Sequence, residues 1–417
     1  METEAKDRMQ NVPPANSQRH RRRWWLSAIA AIALGGIVYF GLSWRHASQT
    51  ESYFNLCRQA AATDDWQTLG KVAASWRQSD PDNVDAAIFL AEFKSHQGLL
   101  DEAIQILSSL PDQNEKTPAA LLIAVDLIFK ELNQPRRAIG LLERLKKIAP
   151  EITGVRQRLI FFYALTLQRR TLIEEVQQAI ADNAEPPDAY VYLILASHLT
   201  FTNGPQLNAM WSQGAPDDLD YQAAYLAQMA DALATTDSPS DEKADRLSRI
   251  RAEIESLSGE HPAHEVLLAD QLFWAARDDD VGRVGELLNT VTADGWKNSL
   301  FWRYRGWFHH RNGELAEAHA AYSKARDIFP LDWQTWQGLA EVQRMQGNLD
   351  DAERSQQIAL EGKELRRHLL QLPDVSNIDL DTLHRIGLYA DHCGDRQVSD
   401  AISARLAAMN YSQPMAD

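Results

Sequence analysis

The sequence predicts an all-α protein: an α-solenoid of about ten antiparallel helix pairs that follows one N-terminal transmembrane helix. Three features of the 417-residue chain support this prediction. Trp302 and Trp336 stand 34 positions apart and begin two copies of one residue pattern, and such a period is typical of stacked helix–turn–helix units. An uncharged stretch, 26–42, lies near the N-terminus. No run of alternating Val, Ile and Thr suggests a β-strand.

The uncharged stretch has the length and the flanks of a membrane span. Trp24 and Trp25 precede it and Trp44 follows it, and a helix over 24–44 is about 30 Å long, the thickness of a hydrocarbon core. Tryptophan is stable at both membrane interfaces. A cleaved signal peptide is the alternative, but its apolar region is usually shorter, and 43–47 is a poor cleavage site.

Arginines on one side of this span predict its orientation. Four of them lie within 19–23, whereas only Arg45 follows closely, and the arginine-rich side of a span stays in the cytoplasm. We therefore predict a basic cytoplasmic tail over 1–23 and translocation of 45–417. The favoured location is the bacterial inner membrane, with the repeats on its periplasmic face. The alternative is a targeting receptor on an organelle, with the repeats in the cytosol.

The two clear repeat copies share large, small and turn residues at matching offsets. The first copy contains Trp302, Gly306, Gly313, Ala318, Tyr322, Ala325 and Pro330; the second contains Trp336, Ala340, Gly347, Ala352, Gln356 and Ala359. Small residues let helices approach closely, and bulky residues fill the space between them. Glycine ends the first helix of a pair, and proline ends the second.

Weaker copies extend the array in both directions. They occupy 50–83, 84–117, 119–152 and 380–410, and Asn133 replaces the turn glycine in the third of these because asparagine tolerates the left-handed conformation. The period drifts in the middle, where helical apolar spacing appears at Tyr190–Phe201, Tyr221–Leu233, 241–257 and His264–Ala276, with an insertion near 203–218. The predicted divisions are N-terminal repeats over 45–152, degenerate helical repeats over 153–298 and C-terminal repeats over 299–417.

These residues resemble the tetratricopeptide repeat family, most closely over 84–152 and 299–363. The resemblance implies stacked helix pairs in a right-handed superhelix. It also implies an inner face, lined by the first helix of each pair, that binds peptides or proteins. Transferred to this chain, the inner-face positions are Leu300, Arg303, Trp307, His310, Arg311, Gln334, Gln337, Glu341, Arg344 and Met345.

From that set we predict a partner-binding site with mixed chemistry. Its members are Arg303, Trp307, His310, Arg311, Gln337, Glu341 and Arg344. Trp and Arg are enriched at binding hot spots, and arginine holds a carboxylate through two parallel hydrogen bonds. An acidic peptide is therefore the expected ligand. The alternative is that Trp307 packs against the next pair and the arginines form ion pairs with nearby acids.

The charge of the chain excludes one class of partner. The net charge is −16, and residues 1–46 hold seven basic and three acidic residues, so that the rest of the chain holds 35 basic against 55 acidic residues. A surface so acidic repels phosphate. We therefore predict no nucleic-acid partner.

No catalytic or cofactor-binding pattern is present in the sequence. It lacks a phosphate-binding loop, a nucleophile elbow and a dinucleotide fingerprint. His309, His310 and His319 do not have zinc-ligand spacing, and Cys57 and Cys393 are predicted to be small packing residues without a disulfide. We predict a scaffold in cell-envelope assembly that is not an enzyme and has no metal or cofactor; an active site hidden in 153–298 is the least favoured alternative.

Overall fold

The computed structural model describes residues 49–235, 241–372, 375 and 378–411, and these residues are helical or irregular, without a β-strand. The all-α prediction is therefore confirmed for this part of the chain. The predicted transmembrane helix, 24–44, lies outside the described residues. None of the helices that are described is long and apolar enough to cross a membrane.

The described helices follow one another with short connections. They are 49–62 (α1), Trp66–Ser79 (α2), Val84–His96 (α3), Leu100–Ser108 (α4), Thr117–Asp126 (α5), Ile139–Ile148 (α6), Thr153–Leu165 (α7), Arg169–Ala181 (α8), Ala189–Leu195 (α9), Gly204–Gly214 (α10), Leu219–Thr235 (α11), Asp241–Glu260 (α12), Glu265–Arg277 (α13), Val281–Leu288 (α14), Ser299–Arg311 (α15), Leu315–Ile328 (α16), Trp333–Met345 (α17), Leu349–Leu369 (α18), Leu380–Cys393 (α19) and Arg396–Tyr411 (α20). Consecutive helices pack against each other, most extensively in the pairs α15–α16 and α17–α18, and α12 contacts both α11 and α13.

Contacts divide the described chain into two compact units, one that ends at Pro111 and one that begins at Asp112. In the first unit, residues of α1, α2 and α3 pack around Trp76, which is 1% exposed. The Trp76 ring stacks on Tyr53 with 6.0 Å between ring centroids, and it meets Phe54 edge to face at 6.5 Å. The buried Trp76 and the two partly buried rings that pack on it contribute to the apolar core of this unit.

Turn residues in the second unit behave as the repeat pattern predicts. Gly313, between α15 and α16, has a φ of 75°, and Asn133 has a φ of 54°. These left-handed conformations end a helix and turn the chain back on itself. In the turn between α7 and α8, Leu167 has a φ of 57°, which is uncommon for residues other than glycine and asparagine.

The small residues of the repeats make room for one aromatic ring. Tyr322 of α16 is 4% exposed and lies between Gly306 of α15 and Gly338 of α17. A Cβ atom would lie 2.7 Å from the ring at Gly306 and 2.3 Å from it at Gly338. Three helices can therefore meet at Tyr322 only because both neighbours lack a side chain.

The irregular middle is helical, as expected, but it differs from the apolar spacing of the sequence at two places. The helix expected over Tyr190–Phe201 ends at Leu195, and the insertion expected near 203–218 contains α10. The carbonyl groups of 196–198 accept hydrogen bonds from arginine side chains instead of continuing a helix. In α10, the buried Asn208 side chain donates to the carbonyl of Leu165 at 2.9 Å, a tertiary contact that local apolar spacing does not reveal.

The second unit also departs from the expectation that each pair contacts only its neighbours. Helices α18 and α19 contact α9, and α20 contacts α8. Gln397 donates to the carbonyl of Gln177 at 2.8 Å, and Arg405 donates to the Glu185 carboxylate at 3.0 Å. The C-terminal pairs therefore pack against helices that lie far earlier in the chain and are not their neighbours in sequence.

We predict opposite effects for two glycine-to-alanine substitutions. Gly338→Ala should lower the free energy of unfolding by about 1–3 kcal/mol, because overpacking a closed core costs this much. Gly259→Ala in α12, where a Cβ would meet nothing within 4 Å, should raise it by about 0.5–1 kcal/mol through helix propensity. Urea unfolding of the full-length chain, followed by circular dichroism, measures both. A stabilised Gly338→Ala variant would contradict the packing described for Tyr322.

Candidate partner-binding surface

Inner-face positions predicted from the sequence on α15 and α17 meet residues of α13, the preceding first helix. A pocket of ≈270 Å³ lies among them, and its walls include Phe273 and Arg277 of α13, Trp307 of α15, and Gln337 and Glu341 of α17. The other lining residues are Ala276, Arg303, Tyr304, Tyr322, Gln334 and Gly338. The pocket therefore combines apolar rings with hydrogen-bonding and charged groups, as protein-binding hot spots do.

Polar contacts connect α15 and α17 beside this pocket. The Gln337 amide donates to the Glu341 carboxylate at 3.1 Å. His310 Nδ1 lies 3.9 Å from the same carboxylate, and His310 Nε2 lies 3.3 Å from the sulfur of Met345. Met345 is 60% exposed. The structure thus brings predicted residues of both helices to one surface.

Three arginines around the pocket are exposed. Arg311 lies 3.0 Å from Asp279, and its guanidinium carbon is 5.4 Å from the centroid of the Trp307 ring. Arg277 lies over Trp274 at 5.1 Å. Arg344 is exposed and forms no ion pair within the part of the chain that the structure describes. At this residue a guanidinium is available to an acidic ligand.

Arg303 does not belong to the open surface. It is only 8% exposed, and its Nη1 donates to the Asp332 carboxylate at 2.7 Å. Burial lowers the pKa of this guanidinium, but the charges and hydrogen bonds of Asp332 and Tyr304 together more than offset that effect, so that the net pKa is raised. The alternative of pairing with a nearby acid therefore describes Arg303, and the predicted basic patch lacks one of its members.

The Asp332 carboxylate lies close to two buried arginines. It is 0% exposed and caps α17, where its Oδ1 accepts from the amide of Gln334 at 3.1 Å. Its Oδ2 lies 3.8 Å from the guanidinium of Arg169, which is 8% exposed. Burial lowers the pKa of Arg169 to about 10. One carboxylate therefore faces two buried positive charges.

The buried arginines also hold the chain segment that follows α9. Arg169 Nε donates to the carbonyl of Ala196 at 2.7 Å, and Arg303 Nη1 approaches that of Ser197 at 3.4 Å. Arg366 of α18 donates to the carbonyl of His198 at 3.1 Å. Three helices distant in sequence thus bind three consecutive carbonyl groups. The segment lies beside α13, where the rings of His198 and Phe273 are 5.1 Å apart between centroids.

A smaller cavity of ≈100 Å³ adjoins this segment, and Ser197, His198 and Asp270 are among its lining residues. Burial raises the pKa of the Asp270 carboxyl to about 7. Phe273 and Tyr304 line this cavity and the inner-face pocket alike. The two spaces therefore adjoin the same pair of aromatic side chains.

Sequence reasoning did not identify Phe273 and Arg277. Their helix was predicted, over His264–Ala276, but the period of the array drifts there, so that no inner-face positions were assigned to it. Continuing the repeat frame backwards from Trp302 by one unit reaches Leu268, and this alignment could have supplied the missing numbering.

The cysteines are packing residues, as predicted. Cys57 and Cys393 are both free and buried, and burial raises the pKa of the Cys57 thiol to about 11 and that of Cys393 further. Thiols in such surroundings are weak nucleophiles. Among the described residues, no group of three His, Cys, Asp or Glu side chains is placed to hold a metal ion. The predicted absence of enzymatic activity, metal and cofactor stays a prediction.

Comparison with protein families agrees with the repeat pattern. Models of the tetratricopeptide repeat match residues 71–125 and, in two overlapping copies, residues 286–332 and 309–364. The matched ranges leave out residues 126–285, which include most of the degenerate stretch 153–298. No curated protein is similar to the chain in sequence.

Solved structures with a similar arrangement are distant in sequence. A crystal structure of the APC/C hetero-tetramer Cut9–Hcn1 is 14% identical, with 86% of this chain and 78% of that chain covered and a TM-score of 0.31. Tom70 from yeast is 11% identical, with 87% and 88% covered and a TM-score of 0.29. An IFIT1 monomeric mutant with Gppp-AAAA is 12% identical, with 79% and 78% covered and a TM-score of 0.32. Similarity at this level identifies neither a function nor a partner.

We predict that neutralising Asp332 destabilises the protein strongly. Asp332→Asn can keep the cap on α17, but it leaves two buried guanidinium groups without a counter-charge, a loss of about 3–5 kcal/mol. Asp351→Asn is the matched control, because Asp351 is exposed and lies 3.7 Å from Arg354; it should change stability by less than about 1 kcal/mol. Urea unfolding measures both variants. Equal, small effects would show that the buried cluster does not depend on this charge.

Proposed function

Because the chain carries tetratricopeptide repeats, we propose that it is a scaffold that binds a protein or peptide partner on the surface formed by α13, α15 and α17. The observation that carries this proposal is the ≈270 Å³ pocket in which Phe273, Trp307, Gln337 and Glu341 meet. Repeats of this kind typically present such surfaces to other chains.

The charges around the pocket favour an acidic, extended segment of the partner. Arg277, Arg311 and Arg344 are all exposed, and guanidinium groups bind carboxylates through paired hydrogen bonds. Trp307 supplies an apolar anchor, and Gln337 offers amide groups to the backbone of a peptide. Arg303 takes no part, since it is buried against Asp332.

We predict that reversing two exposed charges abolishes capture of this partner. Arg311→Glu combined with Arg344→Glu should reduce crosslinked partner by at least about tenfold, because like charges at an interface cost several kcal/mol. Lys324→Glu combined with Arg354→Glu reverses two exposed charges on the second helices α16 and α18, away from the proposed surface, and should leave capture unchanged. Crosslinking in native membranes, followed by mass spectrometry, supplies the comparison. Equal capture by both double variants would contradict the proposed surface.

We further propose that the repeats are anchored to a membrane and act in the assembly of a cell envelope. Support comes from the sequence: the uncharged stretch 26–42, its tryptophan flanks and the arginines of 19–23. With the arginine-rich side in the cytoplasm, the repeats lie on the periplasmic face of a bacterial inner membrane. A tether of this kind would keep the scaffold close to partners that are themselves in or near the membrane.

The membrane orientation has a direct test. In inverted membrane vesicles, whose cytoplasmic side faces outwards, the repeats should resist added protease until detergent opens the vesicles. An antibody against the C-terminal repeats follows the fragment, and a cytoplasmic loop of another membrane protein serves as the digestion control. Digestion of the repeats without detergent would instead support a receptor with cytosolic repeats.

A further inference from the structure

A second groove lies between α18 and α19, away from the pocket formed by α13, α15 and α17. Its volume is ≈680 Å³. Leu360 of α18 and Leu388 of α19 line it and are 53% and 47% exposed, whereas Leu365 and Tyr389, which also line it, are each 3% exposed. Two half-exposed leucines from different helices therefore share one depression. Apolar groups clustered in this way mark interaction sites more often than single exposed leucines do.

Carboxylates dominate the rim of this groove. Glu353, Glu361 and Glu364 of α18 line one side, and Arg385 and His392 of α19 line the other. Glu361 accepts from His392 at 2.7 Å, and Glu364 forms an ion pair with Arg367 on its own helix. Glu353 is exposed and has no ion pair among the described residues. A cationic partner can therefore reach at least one uncompensated carboxylate.

Three groove residues of α18 lie in a line along the helix axis. Glu353, Leu360 and Glu364 are separated by seven and four residues, so that they lie on one stripe of the helix. This stripe is about 17 Å long at 1.5 Å per residue. Three helical turns of a partner match that length. A depression between two packed helices with an apolar floor can bind the apolar face of an amphipathic helix.

We propose that the groove between α18 and α19 docks a basic amphipathic helix of a partner protein. The leucines of the groove receive the apolar stripe of that helix, and Glu353, Glu361 and Glu364 pair with lysine or arginine on its flanks. The charge preference is opposite to that of the pocket beside Trp307. The chain would then hold two chemically different segments at once, one acidic and extended, the other basic and helical.

The test uses a defined probe and a matched pair of variants. The probe is a fluorescent 14-residue helical peptide of leucine and lysine, titrated by anisotropy against the full-length chain in phosphatidylcholine nanodiscs, with empty discs as the blank. Leu360→Lys should weaken binding at least about tenfold, because it replaces an apolar contact by a positive charge that repels the basic probe. Leu349→Lys makes the same change on the same helix, at a residue that is 63% exposed and outside the groove, and should change binding less than about twofold.

A second variant separates charge from folding. Glu353→Gln combined with Glu364→Gln keeps the shape of both side chains, so it should leave the thermal unfolding curve unchanged. It should weaken binding of the probe and make that binding less dependent on salt concentration. Equal effects of Leu360→Lys and Leu349→Lys, or equal binding of a probe with glutamate in place of lysine, would overturn the proposal. If Leu360→Lys converts a dimer to a monomer and leaves probe binding intact, the groove binds a second copy of this chain. That result would also overturn the proposal.

Capture by the pocket beside Trp307 is measured separately from this titration. Arg311→Glu combined with Arg344→Glu should leave the basic probe unaffected or bound slightly more tightly, since it adds negative charge elsewhere. The proposals for the two surfaces can therefore be contradicted independently of each other.

Discussion

The carboxylate of Asp332 is the interaction on which the second unit depends. It caps α17, accepts from Arg303 at 2.7 Å and faces the guanidinium of Arg169. These groups are almost fully buried, where an uncompensated charge is very costly. The cluster therefore joins the beginning of α8, the middle of α15 and the start of α17. Removal of its single negative charge would leave two positive charges in the interior.

This cluster explains why the middle of the chain is irregular. Arg169, Arg303 and Arg366 donate to the consecutive carbonyls of 196–198, so that α9 ends at Leu195. The carbonyl groups are satisfied by side chains instead of by a further helical turn. The same contacts draw the C-terminal pairs onto α8 and α9. A linear stack of pairs thus becomes a unit in which distant helices touch.

The two proposed binding surfaces follow from what remains exposed. Around Trp307, arginines from α13, α15 and α17 favour carboxylates, whereas between α18 and α19 glutamates surround exposed leucines. The close packing of Tyr322 between Gly306 and Gly338 sets how closely α15, α16 and α17 approach one another beside the first surface. A scaffold with surfaces of opposite charge can hold two segments at once without competition between them.

The sequence by itself determined the helical class, the repeat pattern of 84–152 and 299–363 and the turn residues Asn133 and Gly313, because these follow from local spacing and backbone preference. It also indicated Trp307, Gln337, Glu341 and Arg344 through the repeat frame. Only the tertiary structure decided that Arg303 is buried, that α9 is short and that α10 exists. Those outcomes depend on contacts such as Arg303 with Ser197 and Asn208 with Leu165. Partners so far apart in sequence leave no periodic signal, since burial and charge pairing are properties of the assembled core.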